Sequence, residues 1–250
     1  MNRAHRTAAA RRAASRETAV VHRVAGLLLE YPTAELVALL PTVRAALDEL
    51  PPRLAAPLAG LVEHLAEGDL VDLEAEYVTT FDLRRRCSLY LTYFAYGDTR
   101  KRGVALVEFK QACRRAGYEI ADDELPDHLC VVLELCSAEG EQAQEEGLRL
   151  LLGHRAGLEL LRLALLDSGS PWAGALVAVC ATLPALDGDE REAVARLAAQ
   201  GPPEEEVGLD PYPSSGSVQP MTPPPVALPF PTTRAPQPGR MPEPIPGARR

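Results

Sequence analysis

Aromatic residues are scarce in this chain of 250 residues: they make up 5% of it, with a single tryptophan. Cysteines are few and odd in number, at 87, 113, 130, 136 and 180, and no C-x-x-C pair occurs among them. That excludes a disulfide framework and the usual zinc spacings, and the thiols read as buried side chains of a protein in a reducing compartment. No run of 18 apolar residues occurs, so a membrane-spanning helix is not expected. Arg11-Arg12 invites a twin-arginine reading, but Arg16, Glu17, His22 and Arg23 interrupt any apolar export core, and a cytoplasmic location is expected. The local signatures of phosphate loops, dinucleotide folds, nucleophile elbows and zinc proteases are all missing, which argues against an enzyme. The histidines at 5, 22, 64, 128 and 154 are too scattered to nominate a metal site, so no cofactor is expected.

What is present is unevenly distributed. Most of the 23 prolines fall in residues 201–250, where missing N–H donors and fixed φ angles preclude a packed element, so that stretch reads as a disordered tail. Residues 1–17 are rich in alanine and arginine without an apolar stripe and read as a flexible basic arm. Residues 18–200 form the expected folding unit. The formal net charge of −9 is concentrated there, because the first segment is basic and the tail nearly neutral. An acidic body repels nucleic acid and anionic lipid and suits a basic peptide.

Within that unit the apolar residues recur at helical spacing. Val20 to Tyr31 form one stripe stopped by Pro32; Thr33 can cap a second helix and Asp69 another, while Gly68 and Gly117 are natural stops. Asp122-Asp123-Glu124-Leu125-Pro126 reads as an acidic helix start, and Ser170-Pro171 as a cap with a first-turn proline. Residues 141–167 hold two helices or one bent near Gly153, and a short helix is expected over 189–199. No segment alternates with a period of two between hairpin turns. The fold class is therefore all-α, a single globular helical bundle of about eight to ten helices.

Seven of the twelve aromatic residues lie between 77 and 109, and Tyr90, Tyr93, Phe94 and Tyr96 cannot all point inward from one short helix. Some of them belong to the core or line a groove. Asp127-His128 is the one dyad with acid–base potential, but neighbours on a helix diverge by about 100° and suit capping better than catalysis. Arg84-Arg85-Arg86 reads as a solvated connection, with phosphate binding as the alternative.

Four segments in order carry a resemblance: Tyr77-Val78-Thr79-Thr80-Phe81-Asp82, Ser88-Leu89-Tyr90-Leu91, the run from Gly97 to Leu106 containing Arg100, Arg102 and Gly103, and Glu124-Leu125-Pro126-Asp127-His128-Leu129. With this spacing residues 20–185 resemble the NarJ family, the nitrate reductase molybdenum cofactor assembly chaperones also called delta subunits. The resemblance implies a helical fold shared with the TorD and DmsD maturation proteins and no enzymatic turnover. It also implies binding to the N-terminal peptide of the nitrate reductase catalytic (alpha) subunit, with release once the cofactor is inserted and before membrane attachment. Molybdenum cofactor biosynthesis proteins are further possible partners. The expected peptide site is a groove lined by Tyr77, Phe81, Tyr90 and Tyr93, with Glu124, Asp127 and His128 attracting basic residues. Ser88, Gly97, Arg100, Arg102, Gly103, Leu125 and Pro126 complete the motif. The alternatives are a chaperone of another molybdenum oxidoreductase, of the dimethyl sulfoxide or trimethylamine oxide reductase type, and a helical hydrolase or nucleotide-binding protein using Asp127-His128.

Overall fold

Thr33 and Asp69 act as the sequence suggests. The Thr33 hydroxyl accepts the Leu36 N–H at 3.2 Å and the Asp69 carboxylate accepts the Val71 N–H at 3.0 Å, each satisfying a donor that the first helical turn leaves open. These caps sit in a computed structural model that describes residues 3–97, 99–121 and 124–200. The described residues belong to one unit, Met1–Val207. The proline-rich stretch 201–250, expected as a disordered tail, lies outside the described residues.

Eleven α-helices make up the described chain: α1 (Arg3–Leu28), α2 (Ala34–Asp48), α3 (Pro52–Glu67), α4 (Leu70–Tyr77), α5 (Tyr93–Tyr96), α6 (Arg100–Arg115), α7 (Leu129–Ser137), α8 (Glu141–Gly153), α9 (Arg155–Asp167), α10 (Ala173–Thr182) and α11 (Gly188–Gln200). A π-helical turn, Val78–Asp82, continues α4, and a 3-10 turn covers Arg85–Cys87. Among the described residues β pairing is limited to one isolated bridge, between Tyr90 and His128. The all-α expectation therefore holds.

The structure departs from the sequence reading at two places. Helical backbone begins at Arg3, so the segment expected as a flexible arm is largely helical, in keeping with the strong helix propensity of alanine and arginine. Arg16 in that segment pairs with Glu49 at 2.8 Å. The stretch around Glu124-Leu125-Pro126 is not a helix start: α7 begins only at Leu129, and the preceding residues form turns and the bridge.

Helix α1 packs against α7, α10, α3 and α2, and α10 lies along α3. Val21, Ala25 and Leu28 of α1 and the following Leu29 are fully buried, as are Leu58 of α3, Leu133 of α7 and Leu176 of α10, and they share one core cluster. The approach of α10 to α3 depends on Gly174, since a Cβ there would lie 2.0 Å from the Pro57 carbonyl oxygen. At the α7–α8 crossing Gly147 does the same, with a Cβ 2.7 Å from the Cys136 N. Four of the five cysteines are buried and the fifth, Cys180, is half-buried; all are free thiols.

Candidate partner-binding site

Leu89 to Leu91 meet Asp127 to Leu129 across the bridge. The Leu91 N–H donates to the Asp127 carbonyl at 3.0 Å and the Leu129 N–H to the Leu89 carbonyl at 2.8 Å. Two segments almost forty residues apart are thus fixed side by side: the Asp127 carbonyl is committed to Leu91, while the Glu124 and His128 N–H groups close local turns onto Ala121 and Leu125. The Ser88 hydroxyl accepts the Tyr90 N–H at 3.3 Å and shapes the entry to the bridge. With the backbones in register, the Tyr90 and His128 rings meet edge to face, centroids 5.2 Å apart.

Asp127 is fully buried. Its Oδ2 accepts the Thr92 hydroxyl at 2.5 Å and the Thr92 N–H at 3.3 Å, and lies 3.5 Å from the Arg102 guanidinium. Arg102 also donates through Nε to the Thr92 hydroxyl oxygen at 3.2 Å, and its guanidinium carbon sits 5.2 Å from the Tyr90 ring centroid. Asp127 and His128 do not pair with each other, as their divergence along the chain requires. Burial lowers the His128 pKa below that of an ordinary imidazole, opposed by the nearby Asp127 charge.

Arg102 reaches this position because Gly97 turns the chain sharply after α5. Gly97 has φ +57° with ψ −152°, a conformation nearly closed to residues with a Cβ, and its N–H caps Tyr93 at 2.7 Å. Arg100 projects into solvent. Gly103 is exposed on α6 with open space where a Cβ would stand, so nothing in the structure requires glycine there. Pro126 is buried, whereas Glu124 and Leu125 are exposed, the latter by 40%.

The other aromatic residues named from the sequence separate into neighbouring groups. Tyr77 and Phe81 are buried, with centroids 4.6 Å apart, and both pack against Trp172, at 5.7 and 5.6 Å. Residues four apart share one face of a helix, which puts Tyr77 at the end of α4 and Phe81 in the π-helical turn on the same side. Tyr77 donates its hydroxyl to the Leu29 carbonyl at 2.9 Å, and burial raises its pKa far above the ordinary phenol. Tyr93 is buried and contacts Phe94 at 5.9 Å. Half-buried Tyr90 is therefore the ring of this set nearest to solvent. Sequence reasoning missed Tyr31, 42% exposed and edge-on to Tyr77 at 5.4 Å, as well as Thr92. A lone hydroxyl among aromatic residues was the available signal for Thr92.

The bridge unites Ser88–Leu91 with the Glu124–Leu129 segment, and Arg102 brings in the Gly97–Gly103 segment, so three of the four resemblance motifs meet at one point. The family model described as nitrate reductase delta subunit matches residues 47–178, which contain all of them. The chain belongs to the nitrate reductase delta subunit family. It is 38% identical over 167 residues to the nitrate reductase-like protein NarX of Mycobacterium tuberculosis, covering 65% of this chain and 24% of that protein. It is 35% identical over 112 residues to the probable nitrate reductase molybdenum cofactor assembly chaperone NarJ of Bacillus subtilis, covering 44% of this chain and 61% of the relative. With NarJ of Escherichia coli K12, named as the same kind of chaperone, the identity is 33% over 126 residues, 49% of this chain and 53% of the relative. The match thus spans between about a quarter and three fifths of these relatives' own length. In this delta-subunit family member no group of three or more potential metal-ligating side chains occurs among the described residues, and no described helix is long and apolar enough to cross a membrane.

Proposed function

We propose that this chain is a dedicated chaperone. It binds the N-terminal region of the catalytic subunit of a respiratory nitrate reductase and keeps the apoenzyme competent for molybdenum cofactor insertion before membrane attachment, acting in the cytoplasm and turning over no substrate. The observation that carries this reading is the meeting of three family segments in one wall, where His128, edge to face with Tyr90, closely follows exposed Glu124 and Leu125 along the chain. Such a surface offers apolar area and negative charge together, which suits an amphipathic segment bearing arginine or lysine. Two of the relatives carry the chaperone name, which supports the same reading. Tyr77, Phe81 and Tyr93 back this region from the core, and Asp127 holds the wall together. Proteins of molybdenum cofactor biosynthesis are candidate secondary partners.

Calorimetric titration of the full chain with a synthetic peptide of the first few dozen residues of the nitrate reductase catalytic subunit from the same genome tests the proposal. Saturable one-to-one binding is expected, weaker by about fivefold or more for Glu124→Ala at low salt. Binding only to the corresponding peptide of a dimethyl sulfoxide or trimethylamine oxide reductase would reassign the client. Absence of binding to either would overturn the reading.

A further inference from the structure

A carboxylate with no solvent exposure cannot attract a basic residue from outside; it must be neutralised where it lies. Asp127 is in that position, and its partners are the hydroxyl and N–H of Thr92, next after the Ser88–Leu91 motif, and the Arg102 guanidinium of the Gly97–Leu106 motif. The same guanidinium lies over the Tyr90 ring and donates to Thr92. Asp127 Oδ2 is thus tied to both Thr92 and Arg102, while its Oδ1 is buried without a hydrogen-bond partner among the described residues. The ring quadrupole of Tyr90 already faces a cation, and Glu124 is an exposed carboxylate of the segment that carries Asp127 and His128.

We propose that Asp127, through Thr92 and Arg102, is a positioning residue that fixes Tyr90 against His128, and that Tyr90 so held receives an apolar side chain of the client and not its cation. The inference rests on the client-binding reading above and adds to it a division of labour. The client's arginine or lysine is met at Glu124, and its apolar face at Tyr90 and Leu125.

The full chain is titrated with the same catalytic-subunit peptide at low and high salt, comparing wild type, Asp127→Asn, Thr92→Val and Glu124→Gln, alongside amide exchange at Leu91 and Leu129. Asp127→Asn and Thr92→Val are expected to weaken binding about tenfold with the wild-type salt dependence retained, and to speed exchange at both amides. Glu124→Gln flattens the salt dependence and leaves exchange unchanged. In double-mutant cycles Tyr90→Ala couples to an apolar-to-alanine change in the peptide and is additive with an arginine-to-glutamine change. A flattened salt dependence in Asp127→Asn, or coupling of Tyr90 to the peptide's cation, overturns the proposal. So does faster exchange without loss of affinity, which would make the network structural only. Should Asp127→Asn fail to fold, the near-isosteric Thr92→Val decides by the same criteria. A wild-type chain that binds no such peptide removes the client reading together with this one, whereas binding that the latch variants leave untouched removes this one alone.

Discussion

His22 on α1 shows how one buried side chain ties stability to pH. Its Nε2 lies 2.9 Å from the Thr182 hydroxyl oxygen, whose own proton goes to the Val179 carbonyl at 2.7 Å, so the imidazole must donate through Nε2. Nδ1 is buried without a partner among the described residues, and a second proton there would meet no acceptor. Burial accordingly lowers the His22 pKa from 6.5 to about 4. Because the folded value lies below the unfolded one, the neutral ring's contribution is complete above pH 6.5 and is lost progressively as pH falls to about 4. The loss amounts to as much as about 3 kcal/mol. Urea denaturation of wild type and His22→Gln across that window should show the acid limb flattened in the variant. An equal pH dependence in both would place the titrating group elsewhere.

Helices α3 and α10 approach so closely that the space between them at Gly174 cannot hold even a methyl group. Gly174→Ala puts a Cβ on the Pro57 carbonyl and should cost about 1–3 kcal/mol or more, read as a lower Tm. Gly103→Ala is the contrasting case: the site is open and lies at the end of the first turn of α6, so alanine should stabilise the helix by up to about 0.5–1 kcal/mol. If that more stable variant also loses client affinity, the glycine serves the contact and not the fold. The same distinction between local and distant causes governs how much of the molecule was legible beforehand. Thr33, Asp69, Pro32 and Gly68 could be read because capping and chain termination are decided within one turn. The start of α7 was placed too early because the conformation of Glu124 to His128 is set by Leu89–Leu91, a neighbour in space only. The Thr92–Asp127–Arg102 network was invisible for a similar reason: its members are 35 and 10 residues from Thr92, and no periodicity encodes their meeting. Tyr77 and Phe81, four apart, could be read as neighbours, whereas their packing against Trp172, far along the chain, could not.

Over the whole molecule, a formal charge of −9 and a pI near 5.2 set the terms on which the proposed basic client would be met before any contact forms. Such a field acts on association, where it concentrates and orients an oppositely charged segment, and much less on dissociation, which is governed by the packed apolar wall. Stopped-flow mixing of the full chain with the catalytic-subunit peptide should therefore show the association rate falling about tenfold between 10 and 150 mM salt, as the Debye length shortens from roughly 30 to 8 Å. The dissociation rate should change by less than about twofold over the same range. Glu124→Gln should lower only the association rate, since its charge lies at the exposed rim. A salt effect carried mainly by dissociation would mean that the client's cations are buried against the wall, and would place the decisive carboxylate inside the site instead of at its edge.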